Sequence, residues 1–101
     1  MTPLACLRID GEFTIYRAAE LAEALKAALA GAAAAPALEI DLSGVTEMDC
    51  AGAQLLLAAR RSARESGRAL RVTGRSTVAA ETMAILRLEA EFADAPATLA
   101  G

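Results

Sequence analysis

The sequence predicts an α/β fold, one domain over residues 1–101 in which a β-sheet has α-helices packed against it, in the order β-β-α-β-α-β-α. Three observations predict it. Apolar residues recur at alternate positions in some segments and at helical spacing in others, and this separates strands from helices. Glycines, often beside Asp or Ser, fall where the period changes. The length of 101 residues suits one hydrophobic core and not two.

Leu4, Cys6 and Arg8 alternate with Ala5, Leu7 and Ile9 ahead of Asp10-Gly11. Asp-Gly between apolar runs signals a hairpin, so a second strand is expected over Glu12–Tyr16, and Cys6 is expected in the core. From Arg17 the period becomes helical. Leu21, Ala24, Leu25, Ala28 and Leu29 share one face while Glu20, Glu23 and Lys26 occupy the other, and Gly31 closes the helix. The alanines from 32 to 37, bracketed by Gly31 and Pro36, read as a connector.

Leu38-Glu39-Ile40-Asp41-Leu42 alternates strictly and predicts the central strand, ended by Ser43-Gly44. A polar turn leads from it into a helix carrying Leu55, Leu56, Leu57, Ala58, Ala59 and Ala63, with Arg60, Arg61, Arg64 and Glu65 toward water. Gly67 suits the C-terminal cap. Leu70 and Val72 mark a further strand ended by Gly74. Ser76 or Thr77 then caps a third helix holding Val78, Met83, Ile85, Leu86 and Leu88. Residues 92–101, with Pro96, read as an irregular tail.

Composition narrows the function classes. Hydrophobic residues make up 55% of the chain, but many of them are Ala, so the core rests on Leu, Ile, Val, Met and two Phe. Aromatic residues are 3%, Trp is absent and the net charge is −3, which argues against nucleic acid as a partner. With no His, no imidazole base or Ser-His-Asp arrangement can be assembled, so no catalytic residue is assigned. Cys6 and Cys50 form no CxxC pair, so neither a metal site nor a redox motif is expected, and both read as reduced. No cofactor is implied. The start lacks a secretory pattern and no apolar run is long enough for a membrane span, so a cytoplasmic protein without membrane insertion is expected.

The most informative stretch is Leu42-Ser43-Gly44-Val45-Thr46-Glu47-Met48-Asp49-Cys50-Ala51-Gly52. Asp49 stands where its carboxylate can accept from free backbone N–H groups, and Cys50, Ala51 and Gly52 leave a surface uncluttered for another backbone. A well-capped helix accounts for these residues equally well. Cys50 by itself reads either as a space-filling residue or as a thiol activated by a helix N-terminus. The run Arg60-Arg61-Arg64-Arg68 reads as a solvated helix face interrupted by Glu65.

Asp41-Leu42-Ser43-Gly44-Val45-Thr46, the turn Asp49-Cys50-Ala51-Gly52, the run Leu55-Leu56-Leu57-Ala58-Ala59 and Leu70-Arg71-Val72-Thr73-Gly74 together resemble a STAS domain, the fold of anti-sigma factor antagonists. The resemblance covers nearly the whole chain and implies a mixed β-sheet covered on one face by α-helices. It implies a non-enzymatic interaction module of bacterial signalling, a monomer or weak dimer, that docks a partner through Asp49, Cys50, Ala51, Gly52 and Gln54. It also implies the partner classes: an anti-sigma factor, a histidine-kinase-like or chemotaxis regulator, or the ABC ATPase of a phospholipid-transport complex. A sensor of small ligands or nucleotides is a further alternative. Regulated members carry a phosphorylatable Ser or Thr where this chain has Cys50, and a thiol does not replace that hydroxyl in serine-kinase chemistry.

Overall fold

The computed structural model describes residues 5–31 and 37–92. Strand β1 (Ala5–Phe13) is followed by a 3-10 turn at Ile15–Arg17 and helix α1 (Ala18–Gly31), then by β2 (Ala37–Met48) and α2 (Cys50–Glu65). Strand β3 (Ala69–Arg75) and helix α3 (Thr77–Ile85) complete it. The strands lie in the order β1-β2-β3 and both pairings are parallel, so α1 and α2 are the crossovers that parallel neighbours require. No helix among the described residues is long and apolar enough to cross a membrane. Of the connector expected over residues 32–37, residues 32–36 lie outside the described residues and Ala37 opens β2; of the tail expected over 92–101, only Phe92 is described, and it is buried in the core.

The core follows from alternation. Leu38, Ile40 and Leu42 of β2, Leu70 and Val72 of β3 and Ile9 of β1 point to one face. There they meet Leu21, Leu25 and Leu29 of α1 together with Leu56, Ala59 and Ala63 of α2. Ala79 and Met83 of α3 join the same cluster. Cys6, Arg8, Asp10, Arg71 and Thr73 are exposed on the opposite face, which is polar. Cys6 is therefore not a core residue: the β1 alternation puts Ile9 inside and Cys6 with Arg8. On that outer face Arg8 bonds Asp10 at 2.7 Å and Asp41 at 3.3 Å.

The α/β class and the covered sheet hold, but the hairpin does not. The two strands expected on either side of Asp10-Gly11 are one strand, and every pairing among the described residues is parallel where a mixed sheet was expected. Gly11 does adopt the left-handed backbone that suggested a turn, with φ +78°. It serves an irregularity in the ladder, because the β1–β2 register shifts between Arg8 and Asp10 and again between Gly11 and Glu12. The Arg17 guanidinium explains why the chain can run on. Its Nη1 donates to the Asp10 carbonyl at 2.6 Å and the Glu12 carbonyl at 3.0 Å, satisfying acceptors on either side of the kink. Phe13 then pairs with Met48 at the far end of β2.

Ser43-Gly44 does not end β2 either. Gly44 pairs with Asp10, whose carboxylate occupies the space a side chain would take at Gly44, so this glycine permits close approach inside a longer strand. Gly74 likewise lies within β3, against Asp41. The helix stops are nearer expectation. After α2, Gly67 at φ +75° gives its N–H to the Arg64 carbonyl at 3.0 Å while Arg68 gives its own to Ala63 at 2.8 Å, a Schellman ending. Ser76 caps α3 by accepting from the Ala79 N–H at 3.0 Å. That helix ends at Ile85, before Leu88, because Arg87 takes the left-handed conformation (φ 59°) and Leu88 donates back to the Met83 carbonyl at 2.8 Å.

One contact fixes how α2 meets the sheet. Gly52 is buried, and a methyl group there would collide with the Phe13 carbonyl oxygen and crowd its ring. Helix propensity alone favours Ala over Gly by up to about 1 kcal/mol. Overpacking against backbone opposes it at about 2 kcal/mol or more, so Gly52→Ala is expected to be net destabilising. Urea unfolding of the two proteins checks the sign: a stabilised Gly52→Ala would show that α2 is free to lift off β1.

Candidate functional site

The site residues gather where parallel strands deliver their C-terminal ends, the usual location of binding surfaces in parallel α/β sheets. Asp49 is the one residue between β2 and α2, and it has an extended backbone at φ −130°. The polar turn expected over residues 43–48 is strand instead, so the whole change of direction falls on Asp49.

Asp49 is the N-cap of α2. Its Oδ1 accepts from the N–H of Ala51 at 2.9 Å and of Gly52 at 3.2 Å. Its Oδ2 accepts from the N–H of Ile15 at 3.1 Å, on the turn between β1 and α1. Its own N–H donates to the Phe13 carbonyl at 3.4 Å. Sequence alone suggests only the cap, since nothing local points from residue 49 to residue 15. These amides hold the Asp49 carboxyl below the usual aspartate range, with the Ile15 N–H the largest cause and the Gly52 and Ala51 N–H groups adding to it against a smaller opposing effect of desolvation.

The structure brings Asp49, Cys50, Ala51 and Gln54 to one end of the molecule and separates Gly52 from them by depth. Cys50 and Gln54 are exposed, Ala51 and Asp49 are half-buried, and Gly52 lies beneath them on Phe13. Cys50 is thus no space-filler: its side chain is a free, exposed thiol on the first residue of α2.

Two neighbours extend this surface. Ile15 is 61% exposed and Tyr16 is 88% exposed, both on the 3-10 turn that Asp49 ties down. The alternation reading placed them in a strand, where one of the two would be buried. Their signal was available in the residues themselves: Thr14 is an N-cap type, and its buried hydroxyl accepts from the Tyr16 N–H at 3.3 Å. Arg17 completes the turn with Glu20, Nη2 to Oε2 at 2.9 Å. On the other flank, Thr82 of α3 donates its hydroxyl to the Met48 carbonyl at 3.4 Å. The result is a backbone frame, tied together by Asp49, that presents the exposed side chains of Cys50, Gln54, Ile15 and Tyr16. Among the described residues no group of His, Cys, Asp and Glu is placed to hold a metal ion.

A family model described as "Mlab, STAS domain" matches residues 4–94. Among solved structures, an anti-sigma factor antagonist from Mycobacterium paratuberculosis aligns with a TM-score of 0.75 and 25% identity, covering 92% of this chain and 77% of that one. A sulfate transporter family protein from Wolinella succinogenes aligns at 0.72 and 18% identity, over 91% of this chain and 75% of that one. The STAS domain of a SulP transporter from Vibrio cholerae aligns at 0.64 and 17% identity, over 91% and 71%. No curated protein matches the chain significantly.

The Asp49 frame carries a pH signature. A carboxyl whose folded pKa is depressed stabilises the fold above its unfolded pKa, and that contribution disappears as pH falls through the folded value. Asp49→Asn keeps the shape and removes the charge. Its melting temperature is expected below that of wild type at neutral pH, with the gap narrowing as the pH falls below the ordinary aspartate range. Parallel thermal melts from pH 7 to about pH 2 check this; a gap that stays constant with pH would mean the Asp49 charge plays no part in holding the turns together.

Proposed function

Because the chain belongs to the STAS family, we propose that it is a non-enzymatic interaction module that docks a protein partner through the Asp49–Gly52 turn and the start of α2. The observation that carries this reading is the coincidence, at one sheet end, of a backbone frame held by Asp49 and the exposed side chains of Cys50, Gln54, Ile15 and Tyr16. A preorganised surface loses little entropy on binding, and exposed Ile and Tyr side chains supply the apolar area that small Ala and Cys lack. Gly52 contributes from below by seating α2. The similarity to an anti-sigma factor antagonist supports an anti-sigma or kinase-like regulator as the partner, with chemotaxis and two-component regulators in the same class.

Cys50 sets the mode of regulation. A phosphate on a hydroxyl at this position would place about −1.5 to −2 charges on the contact surface and expel an apolar partner. Cys50 offers no such hydroxyl, so the surface stays neutral and docking is constitutive. That property also supports a second reading, a cytoplasmic STAS subunit held permanently on the ATPase of a phospholipid-transport ABC complex, and the Mlab description of the family model sits with it.

Two substitutions test the surface. Ala51→Glu puts a carboxylate at the half-buried second position of α2, where the helix dipole tolerates it, so stability is expected to change by no more than ~1 kcal/mol. The same charge forced into an apolar contact costs several times that, and binding to a purified partner is expected to fall below detection by calorimetry. Arg71→Glu, on the outer sheet face, serves as the charge control and should bind as wild type. Wild-type affinity in Ala51→Glu would remove the turn from the docking surface.

Cys50→Ser restores a hydroxyl on an exposed helix start. With a serine kinase acting on STAS partners, mass spectrometry is expected to find phosphate at position 50 in this variant and none there in wild type. Phosphate at Ser43 or Thr46 of the wild type, with an effect on binding, would show instead that the switch has moved along β2.

A further inference from the structure

Away from the docking end, α2 carries a second feature. Leu57, Arg60, Arg61, Arg64 and Glu65 recur at helical spacing, so they form one stripe along the helix, beside the buried stripe of Leu56, Ala59 and Ala63. Facing this stripe is the turn after α3, with Glu91 toward it. Among the described residues these six line an open cleft of about 560 Å³. That volume falls in the range of small-ligand sites, about 300–1,000 Å³.

The wall opposite α2 is fixed. Phe92 is buried in the core, its carbonyl accepts from Arg75 Nη2 at 3.2 Å, and the Glu91 N–H donates to the Leu88 carbonyl at 3.0 Å. The cleft is therefore held open by packing on both sides.

Its charge is unbalanced. Among the described lining residues three guanidinium groups stand against two carboxylates, on a chain whose net charge is −3. Arg60 is matched by Glu91, Nη1 to Oε1 at 3.0 Å. Arg61 and Arg64 are exposed and make no ion pair among the described residues. The Arg60–Glu91 contact shows that an oxyanion fits this wall, and neither Glu91 nor Glu65 forms an ion pair with Arg61 or Arg64, so those two planar, multi-donor cations keep their donors for a ligand. A phosphate monoester, with three acceptor oxygens, can engage more of these donors than a carboxylate with two does. Leu57 offers an apolar contact for whatever the head group is attached to.

From this arrangement we propose that the cleft between α2 and the turn after α3 is a binding site for a phosphate-bearing ligand, gripped by Arg61 and Arg64 with Arg60 released from Glu91. Glu91 is then an internal competitor for the same donors. Glu91→Gln should therefore tighten binding more than Glu65→Gln does, since Glu65 pairs with none of these arginines, whereas a diffuse positive patch would respond alike to the loss of either carboxylate.

The test uses the full chain, titrated with pyrophosphate and, separately, with phosphatidic acid vesicles against phosphatidylcholine vesicles. Calorimetry follows the first and co-sedimentation the second. The double variant Arg61→Gln/Arg64→Gln is expected to weaken binding by about tenfold or more, and Glu91→Gln to tighten it by about threefold. Binding of pyrophosphate with this pattern makes the ligand a soluble phosphate compound. Binding of anionic vesicles alone, with the same pattern, makes it a lipid headgroup. Should the double variant fail to melt cooperatively, Glu91→Gln decides, and no tightening overturns the proposal. Absence of binding to either probe, equal binding by the double variant, or a preference for polyglutamate over pyrophosphate also overturns it.

Discussion

One carboxylate joins three parts of the chain. Asp49 receives N–H groups from α2 through Ala51 and Gly52, and from the β1–α1 turn through Ile15, while its own amide reaches the end of β1. Each of those donors would otherwise lack a partner at a helix or turn start, so a single ionised group satisfies needs that arise in segments far apart in sequence. The close approach of Gly52 to Phe13 follows from the same junction: α2 starts so near β1 because Asp49 pins both, and only a residue without a side chain fits. The exposed surface is stable because it is tied to this hidden one.

That division explains why the fold was legible in the sequence while parts of the site were not. Helix periodicity, the caps at Asp49 and Ser76, and the stop at Gly67 are local, and each is where the residues place it. The failures are non-local. Asp10-Gly11 has the backbone of a turn, but Arg17 and the long β2 make it a kink within a strand. Ser43-Gly44 has the composition of a strand end, but Asp10 lies across the glycine and the ladder continues. Cys6 keeps the period but lies on the outer face, because both registers of this segment carry apolar residues, Leu4 and Cys6 against Leu7 and Ile9, and alternation alone does not say which is inner. Tyr16 and Ile15 were hidden by the same hairpin reading.

The family comparisons bear on what varies. Relatives that include an anti-sigma factor antagonist and transporter-borne domains share this architecture at 17–25% identity. A frame made of backbone amides and one aspartate is indifferent to most side chains around it, so different surfaces can be carried on it. In this chain Cys50 is one such residue, exposed and outside the side-chain hydrogen bonds that hold the frame.

The placement of aromatic residues has an optical consequence. The chain has no Trp and one Tyr, while both Phe side chains are buried in the core. Absorbance near 280 nm and intrinsic emission therefore arise almost wholly from Tyr16, on the turn beside Cys50. Light-based readouts that average over many chromophores in other proteins report here on a single patch of surface. The core, built from aliphatic side chains and two phenyl rings, is nearly dark at that wavelength. Unlabelled protein thus carries a native probe at the end of the sheet where contact is proposed, and its ellipticity in the aromatic region tracks the order of that turn more than the integrity of the fold.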